Sequence, residues 1–177
     1  MKSKILLMIT FFVACVIVVS IHIIRAQQPQ QTPSGDMHGM DMEGMNRRGD
    51  RVMGFDHDKT THHFRLLTNG GEIEAEANDA NDTASRDQIR MHLSHIAKMF
   101  AAGNFNAPML IHDQTPPGVP TMQRLKAHIT YKFEETELGG RVRITTKDAE
   151  GLSAIYQFLR FQIKEHKTSD SLEISDH

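Results

Sequence analysis

With 177 residues, 20 basic and 22 acidic, the chain is close to neutral and carries no Lys/Arg block able to neutralise a run of phosphates, so nucleic acid is set aside as a partner. Its single cysteine, Cys15, excludes an intrachain disulfide and a cysteine-built zinc site, which leaves methionine, histidine and carboxylates to hold any metal. Without its N-terminal apolar run and a polar stretch, the rest suffices for one core of roughly 100 residues.

Lys2 and Lys4 stand ahead of an apolar run from Ile5 to Ile24 that only Thr10, Ser20 and His22 interrupt. Positive charge followed by a hydrocarbon stretch marks an export signal, so residues 1–26 are expected to be a signal peptide or a membrane anchor. The run is nearer the about 20 residues of a spanning helix than the roughly 7 to 15 of a cleaved signal. Cleavage after Ala26 would also leave Ile24 where a small residue belongs. Phe12-Val13-Ala14-Cys15 is a poor lipoprotein site, because the chain stays apolar beyond Cys15. Charge on the N-terminal flank directs the bulk of the chain outward, to a periplasmic or other extracytoplasmic location, anchored or secreted.

Residues 27–53 change to Gln, Pro, Ser, Gly, Met and Asp with almost no aliphatic or aromatic side chains, and are expected to form a flexible linker. Met37, His38, Met40, Met42 and Met45 lie within it. A pliable loop with this spacing can wrap several thioethers and one imidazole round an ion, and thioether sulfur selects soft, Cu(I)-like ions. Over Met37-His38-Gly39-Met40-Asp41-Met42-Glu43-Gly44-Met45 the tract resembles the Met- and His-rich segments of bacterial periplasmic copper and silver resistance proteins. That resemblance implies copper as the ligand, although the repeated copies those proteins often carry are missing.

From His62 the pattern reads strand, turn, strand, helix, and then repeats. Phe64 and Leu66 alternate with Arg65, Asn69-Gly70-Gly71 suits a tight turn, and Ile73, Ala75 and Ala77 alternate with Glu72, Glu74 and Glu76. Asp82, Thr83 and Ser85 are N-cap candidates for a helix to about Ala102 with Ile89, Leu93, Ile96 and Phe100 inward, and Gly103 stops it. The Pro-rich crossing Thr115-Pro116-Pro117-Gly118-Val119-Pro120 is expected to be irregular. Ile129, Tyr131 and Phe133, a turn at Gly139-Gly140, and Val142 and Ile144 make the second hairpin. Asp148 caps a helix to about His166 with Leu152, Ile155, Leu159 and Ile163 inward. The expected fold over residues 54–170 is α+β: two ββα units, an antiparallel sheet of about four strands with two helices packed on one face, followed by a disordered tail at 171–177.

Inside this domain His62 and His63 precede the first strand's apolar run, and His92 and His95 sit at i and i+3 on the first helix, a spacing that can place two imidazoles on one metal. These four join the tract residues as candidate metal ligands. His57 and His112 lie nearby, and His112 with Asp113 offers an acid/base pair on a loop. Lys132, Arg141 and Arg143 share a polar sheet face able to take an anion, although alternating charges more often face water.

Gly54-Phe55-Asp56, Thr60-Thr61-His62-His63-Phe64-Arg65-Leu66, His92-Leu93-Ser94-His95-Ile96-Ala97, Pro117-Gly118-Val119-Pro120 and Phe158-Leu159-Arg160-Phe161-Gln162-Ile163 are similar to an uncharacterised family of small exported bacterial proteins, over most of residues 54–170. The resemblance implies export and carries no established activity. A carbamoyltransferase label borne by some members does not transfer, because the Ser-Thr-Arg-Thr phosphate-binding motif is missing and the chain is too short for two domains. The expected function is an exported envelope protein that binds a soft metal ion through its Met/His linker, buffers or delivers it, and docks an envelope protein partner, with no catalysis. The alternative is a non-catalytic scaffold with an inert linker, its contact surface built from Phe158, Phe161 and the Pro-rich loop.

Overall fold

A computed structural model describes the backbone of residues 37–176 and the side chains from Glu43 onward. The expected signal or anchor at 1–26 and the first part of the linker lie outside the described residues. The described elements run α1 (Met37–Met53), β1 (Thr60–Leu67), β2 (Gly70–Ala77), α2 (Thr83–Ala101), α3 (Asn106–His112), α4 (Val119–Arg124), β3 (Ile129–Glu135), β4 (Gly139–Thr146), α5 (Ala149–Glu165) and β5 (Ile174–Ser175). Among them no helix is long and apolar enough to cross a membrane.

The sheet order is β3-β4-β2-β1-β5. β1/β2, β2/β4 and β3/β4 pair antiparallel, and β5 runs parallel to β1. The fold is therefore α+β as expected, with a mixed sheet of five strands rather than an antiparallel one of about four. The added strand comes from the tail that composition marks as disordered. Its anchor is Asp170, whose carboxylate accepts hydrogen bonds from Phe64 N and the His63 ring, both at 2.9 Å.

Side-chain capping starts both long helices. Asp82 accepts from Ser85 N at 3.0 Å for α2, and Asp148 accepts from Gly151 N at 2.8 Å for α5. Ile89, Leu93, Ile96 and Phe100 of α2 are buried, as are Ile155, Phe158, Leu159 and Ile163 of α5, whereas Leu152 is only half-buried. Tyr131, opposite Ile144 in the sheet, meets the Phe100 ring at 5.8 Å, and Gly71, opposite the same Ile144, lies under Leu159. The two helices thus cover the same sheet face, as the alternation of apolar strand residues requires.

The glycine pairs do a different job from the one their sequence suggests. Gly70-Gly71 and Gly139-Gly140 are strand residues, and the first turn is made by Thr68 and Asn69. A Cβ on Gly70 would lie 1.9 Å from Ile144 O, and one on Gly139 would lie 2.1 Å from Ala75 O. These glycines let neighbouring backbones approach, a demand set by the sheet rather than by the turn.

The Pro-rich crossing is irregular over residues 115–118 as expected, and it ends in α4, whose first turn holds Pro120, where a missing N–H leaves no bond unmade. The linker differs from expectation. Residues 37–53 of the expected flexible linker form α1. Met45, Gly49 and Met53, spaced by four, are buried, and Arg48 Nε donates to Ile111 O at 2.8 Å. A face of Met and Gly is too weakly apolar to signal a helix by composition, and packing against the domain supplies what propensity lacks.

Candidate functional site

Strand parity separates the two adjacent histidines of β1. His62 lies opposite Ala75, on the same face as Phe64 and Leu66 and beneath the helices; His63 lies opposite Glu74 on the other face. His63 is bonded to Asp170 and does not reach His62's side of the sheet. On α2, His92 is half-buried beside the Ile89 and Ile96 stripe, while His95 shares the solvent edge with Met91. Of the four expected domain ligands, His62 and His92 converge on one cavity and His63 and His95 do not.

That cavity, about 60 Å³, brings together His62, His92, His112 from the end of α3, His166 at the C-cap of α5, Gln162 on α5, and Met53 at the end of α1. Phe64, Phe100 and Phe158 wall it. Pockets for organic ligands run to roughly 300–1,000 Å³, so this one suits an ion or a few waters. His62 stacks on Phe55 at 5.8 Å and on His166 at 5.7 Å, and Phe55 also meets His92 edge-on at 5.6 Å. His166 in turn meets His112 at 5.1 Å with the rings perpendicular. His62, His166 and His112 form a chain of ring contacts from β1 through α5 to α3, which His92 of α2 joins through Phe55.

Burial keeps these rings uncharged. It pushes His62 and His92 down to about 4 and His166 to about 3, and like-charge repulsion between the neighbouring imidazoles adds to it. Burial also lowers His112, against an opposing hydrogen bond that the ring donates to Gln162. His112 is 7% exposed and Gln162 4%. His112 Nε2 lies 2.9 Å from Gln162 Oε1, whereas His112 Nδ1 and Gln162 Nε2 are buried with no hydrogen-bond partner. With the amide oxygen assigned to the atom facing the ring, Nε2 carries the proton and Nδ1 presents a lone pair. The expected His112–Asp113 acid/base pair does not form: Asp113 is an exposed, left-handed helix cap, and His112 turns inward.

Of the tract's five expected donors, Met45 is the one whose side chain is described. Met45, 5% exposed, belongs to the hydrophobic core and is not a free donor. The side chains of Met37, His38, Met40 and Met42 lie outside the described residues, although their backbone is the start of α1. The contact surface of the scaffold alternative is also reduced, since Phe158 is 1% exposed and Phe161 packs edge-on against His112 at 4.9 Å.

The opposite sheet face is an ion lattice. Glu72 and Glu74 of the central strand β2 are 3% and 7% exposed. Arg143 donates to Glu72 at 3.1 Å, with Arg141 at 3.6 Å from the second oxygen, and Arg65 donates to Glu74 through two nitrogens at 3.1 and 3.2 Å. Arg141 and Lys132 both bond Glu134 at 3.0 Å. The cations expected to take an anion are thus neutralised by the sheet itself. A third constellation, Asp50, Asp56 and His57, brings one ligand atom from each within 4.8 Å of the others. Both His57 nitrogens are already engaged there, Nδ1 with Asp50 at 2.9 Å and Nε2 with Asp58 at 3.2 Å, and the group clamps the end of α1 to the turn before β1.

His112 as a lone-pair donor, His166, Gln162 and Met53 escape a reading of motifs. The signal for two of them was present: Phe158, Gln162 and His166 recur every four residues, so the buried stripe of α5 continues into polar side chains. Comparison with protein-family models, curated proteins and solved structures finds no match to this chain. The fold and the cavity define its class, a small α+β domain with uncharged imidazoles gathered beneath its sheet.

Proposed function

We propose that this chain is an exported envelope protein that binds a soft, copper- or silver-like metal ion, and that its folded domain holds the ion in the histidine-lined cavity. The observation that carries this reading is the gathering of four uncharged imidazoles and the Met53 thioether on one cavity of about 60 Å³. Nitrogen and thioether donors without charge are the ligand set of soft and borderline ions, and neutral rings need shed no proton on binding. Export rests on Lys2, Lys4 and the apolar run to Ile24. Met37, His38, Met40 and Met42, in the sequence of the helix that terminates at Met53, are the further donors of this reading, which suits capture and delivery or buffering in concert with an envelope partner. No catalytic role is assigned, since neither nucleophile nor carboxylate lines the cavity.

The test is Ag(I) titration of the full chain by calorimetry under non-oxidising conditions. A double variant, His62→Phe with His166→Phe, loses the tightest site, while substitution of Met37, Met40 and Met42 by Leu leaves that site and removes weaker binding. Unchanged binding in the double variant overturns the assignment.

A further inference from the structure

We propose that the cavity selects its ion by charge, admitting monovalent Cu(I) or Ag(I) and excluding Cu(II) and Zn(II), with His112 Nδ1, His166 and Met53 as donors and Gln162 as the residue that positions His112. This rests on the reading of the cavity as a metal site and adds which ion it takes and why.

The first argument is the cost of charge. No Asp, Glu, Lys or Arg lines the cavity, and the charges that act on His112 from beyond the lining, Glu165 and Arg48, are of opposite sign and offset each other. The Born penalty rises with the square of charge, which makes a dication about four times as costly as a monocation in the same medium.

Geometry supplies the second argument. Zinc takes three or four protein ligands, and among the described residues the one His/Asp/Glu group with three ligand atoms inside 4.8 Å is Asp50, Asp56 and His57, which lies outside the cavity. In the cavity imidazoles come in neighbouring pairs, His62 with His166 at 5.7 Å and His112 with His166 at 5.1 Å between ring centres. Two metal–nitrogen bonds of about 2 Å each put ring centres about 6 Å apart, so side-chain rotation within such a pair accommodates a two-coordinate ion. Soft monocations accept two or three ligands, and a thioether is a natural third.

The third argument comes from His112. Its buried Nδ1 lacks a partner, while Gln162 Oε1 holds the proton on Nε2. A second group fixing the tautomer of a ligating histidine is the usual support for a metal ligand.

The experiment uses the full chain with ¹⁵N-labelled histidine, titrated separately with Ag(I), anaerobic Cu(I) and Zn(II), reading ring-nitrogen shifts and affinities by chelator competition. Ag(I) and Cu(I) are expected to shift His112 Nδ1 and a His166 nitrogen, and these shifts to be complete at one equivalent, ahead of the weaker binding by the Met37 to Met42 tract. Zn(II) is expected to leave both rings unmoved and at most to disturb His57. Gln162→Leu weakens Ag(I) roughly 10- to 100-fold and mixes the His112 tautomers. Gln162→Glu, which adds a compensating charge, shifts the preference toward Zn(II), a change that a merely structural role for Gln162 would not produce; Gln162→Met provides a folded control of matching size. If no ion moves either ring, the cavity reading itself fails. If Zn(II) moves both rings with an affinity equal to that of Ag(I), the cavity is a metal site and charge selection is overturned. An unchanged Ag(I) to Zn(II) ratio in Gln162→Glu overturns it as well.

Discussion

The two faces of the sheet bury polar groups by opposite means. On the open face the carboxylates of Glu72 and Glu74 are covered by Arg65, Arg141 and Arg143 from the flanking strands, although Glu72 Oε2 accepts no hydrogen bond. On the helix-covered face His62, His92, His112 and His166 lose their charge, and His112 keeps a nitrogen without a partner. A face that offsets buried carboxylates with guanidinium groups of the neighbouring strands suits stability and register. A face that strips charge and holds an imidazole nitrogen without a partner is the one proposed to receive an ion. His62 and His63, neighbours in sequence, are assigned to these two regimes by strand parity alone.

The largest effect expected on either face is from Phe158→Ala, which enlarges the void beside the imidazoles and costs roughly 3–5 kcal/mol in urea unfolding. A loss below about 1 kcal/mol would mean that Phe158 is not the core residue its burial implies. Next comes Glu72→Ala on the open face. It leaves Arg143 without its partner and costs about 2 kcal/mol, less than for a fully buried pair because the Arg141 and Arg143 side chains are 35% and 36% exposed. Metal affinity is expected to stay as it was, and a change would break the separation of the two faces.

Acid sharpens the contrast further. The folded-state values of His62, His92 and His166 lie below the free imidazole value of about 6.5, so the unfolded chain binds more protons from there down to about 4 for His62 and His92 and about 3 for His166. Stability is therefore lost as pH falls through that window, and the melting temperature measured at pH 5 is lower than at pH 7.5. His166→Phe flattens this dependence. His57 acts in the other sense: burial opposes its charge, but the bond to Asp50 and the nearby Asp50, Asp58 and Asp56 carboxylates raise it above its ordinary value. Its contribution is present below about 6.5 and is lost as pH rises through the raised value. The smallest effect belongs to the solvent-exposed Arg47–Glu43 pair on α1, where Arg47→Ala leaves the unfolding midpoint unchanged within error.

Much of the fold is legible in the sequence. Period-two alternation and the Asp82 and Asp148 caps located both hairpins and both long helices. What escaped depends on tertiary contact. The glycine pairs read as turns because their true constraint, a backbone oxygen of the neighbouring strand, is distant in sequence. The face of α1 read as linker because methionine and glycine are faint hydrophobic signals. The cavity was half legible: His62 and His92 belong to recognisable elements, whereas His112 and His166 come from separate helix ends that only the fold unites. Met45, conspicuous in sequence as a donor, is core packing.

The central claim, that the helix-covered face gathers uncharged imidazoles with a lone pair held open on His112, is tested most directly by ring-nitrogen NMR of the metal-free full chain during a pH titration. The account predicts that His62, His92 and His166 stay neutral down to about pH 5, well past the free value of about 6.5, and that His112 shows a single tautomer protonated at Nε2. Titration of all four rings near the free value, with His112 a mixture of tautomers, would contradict it.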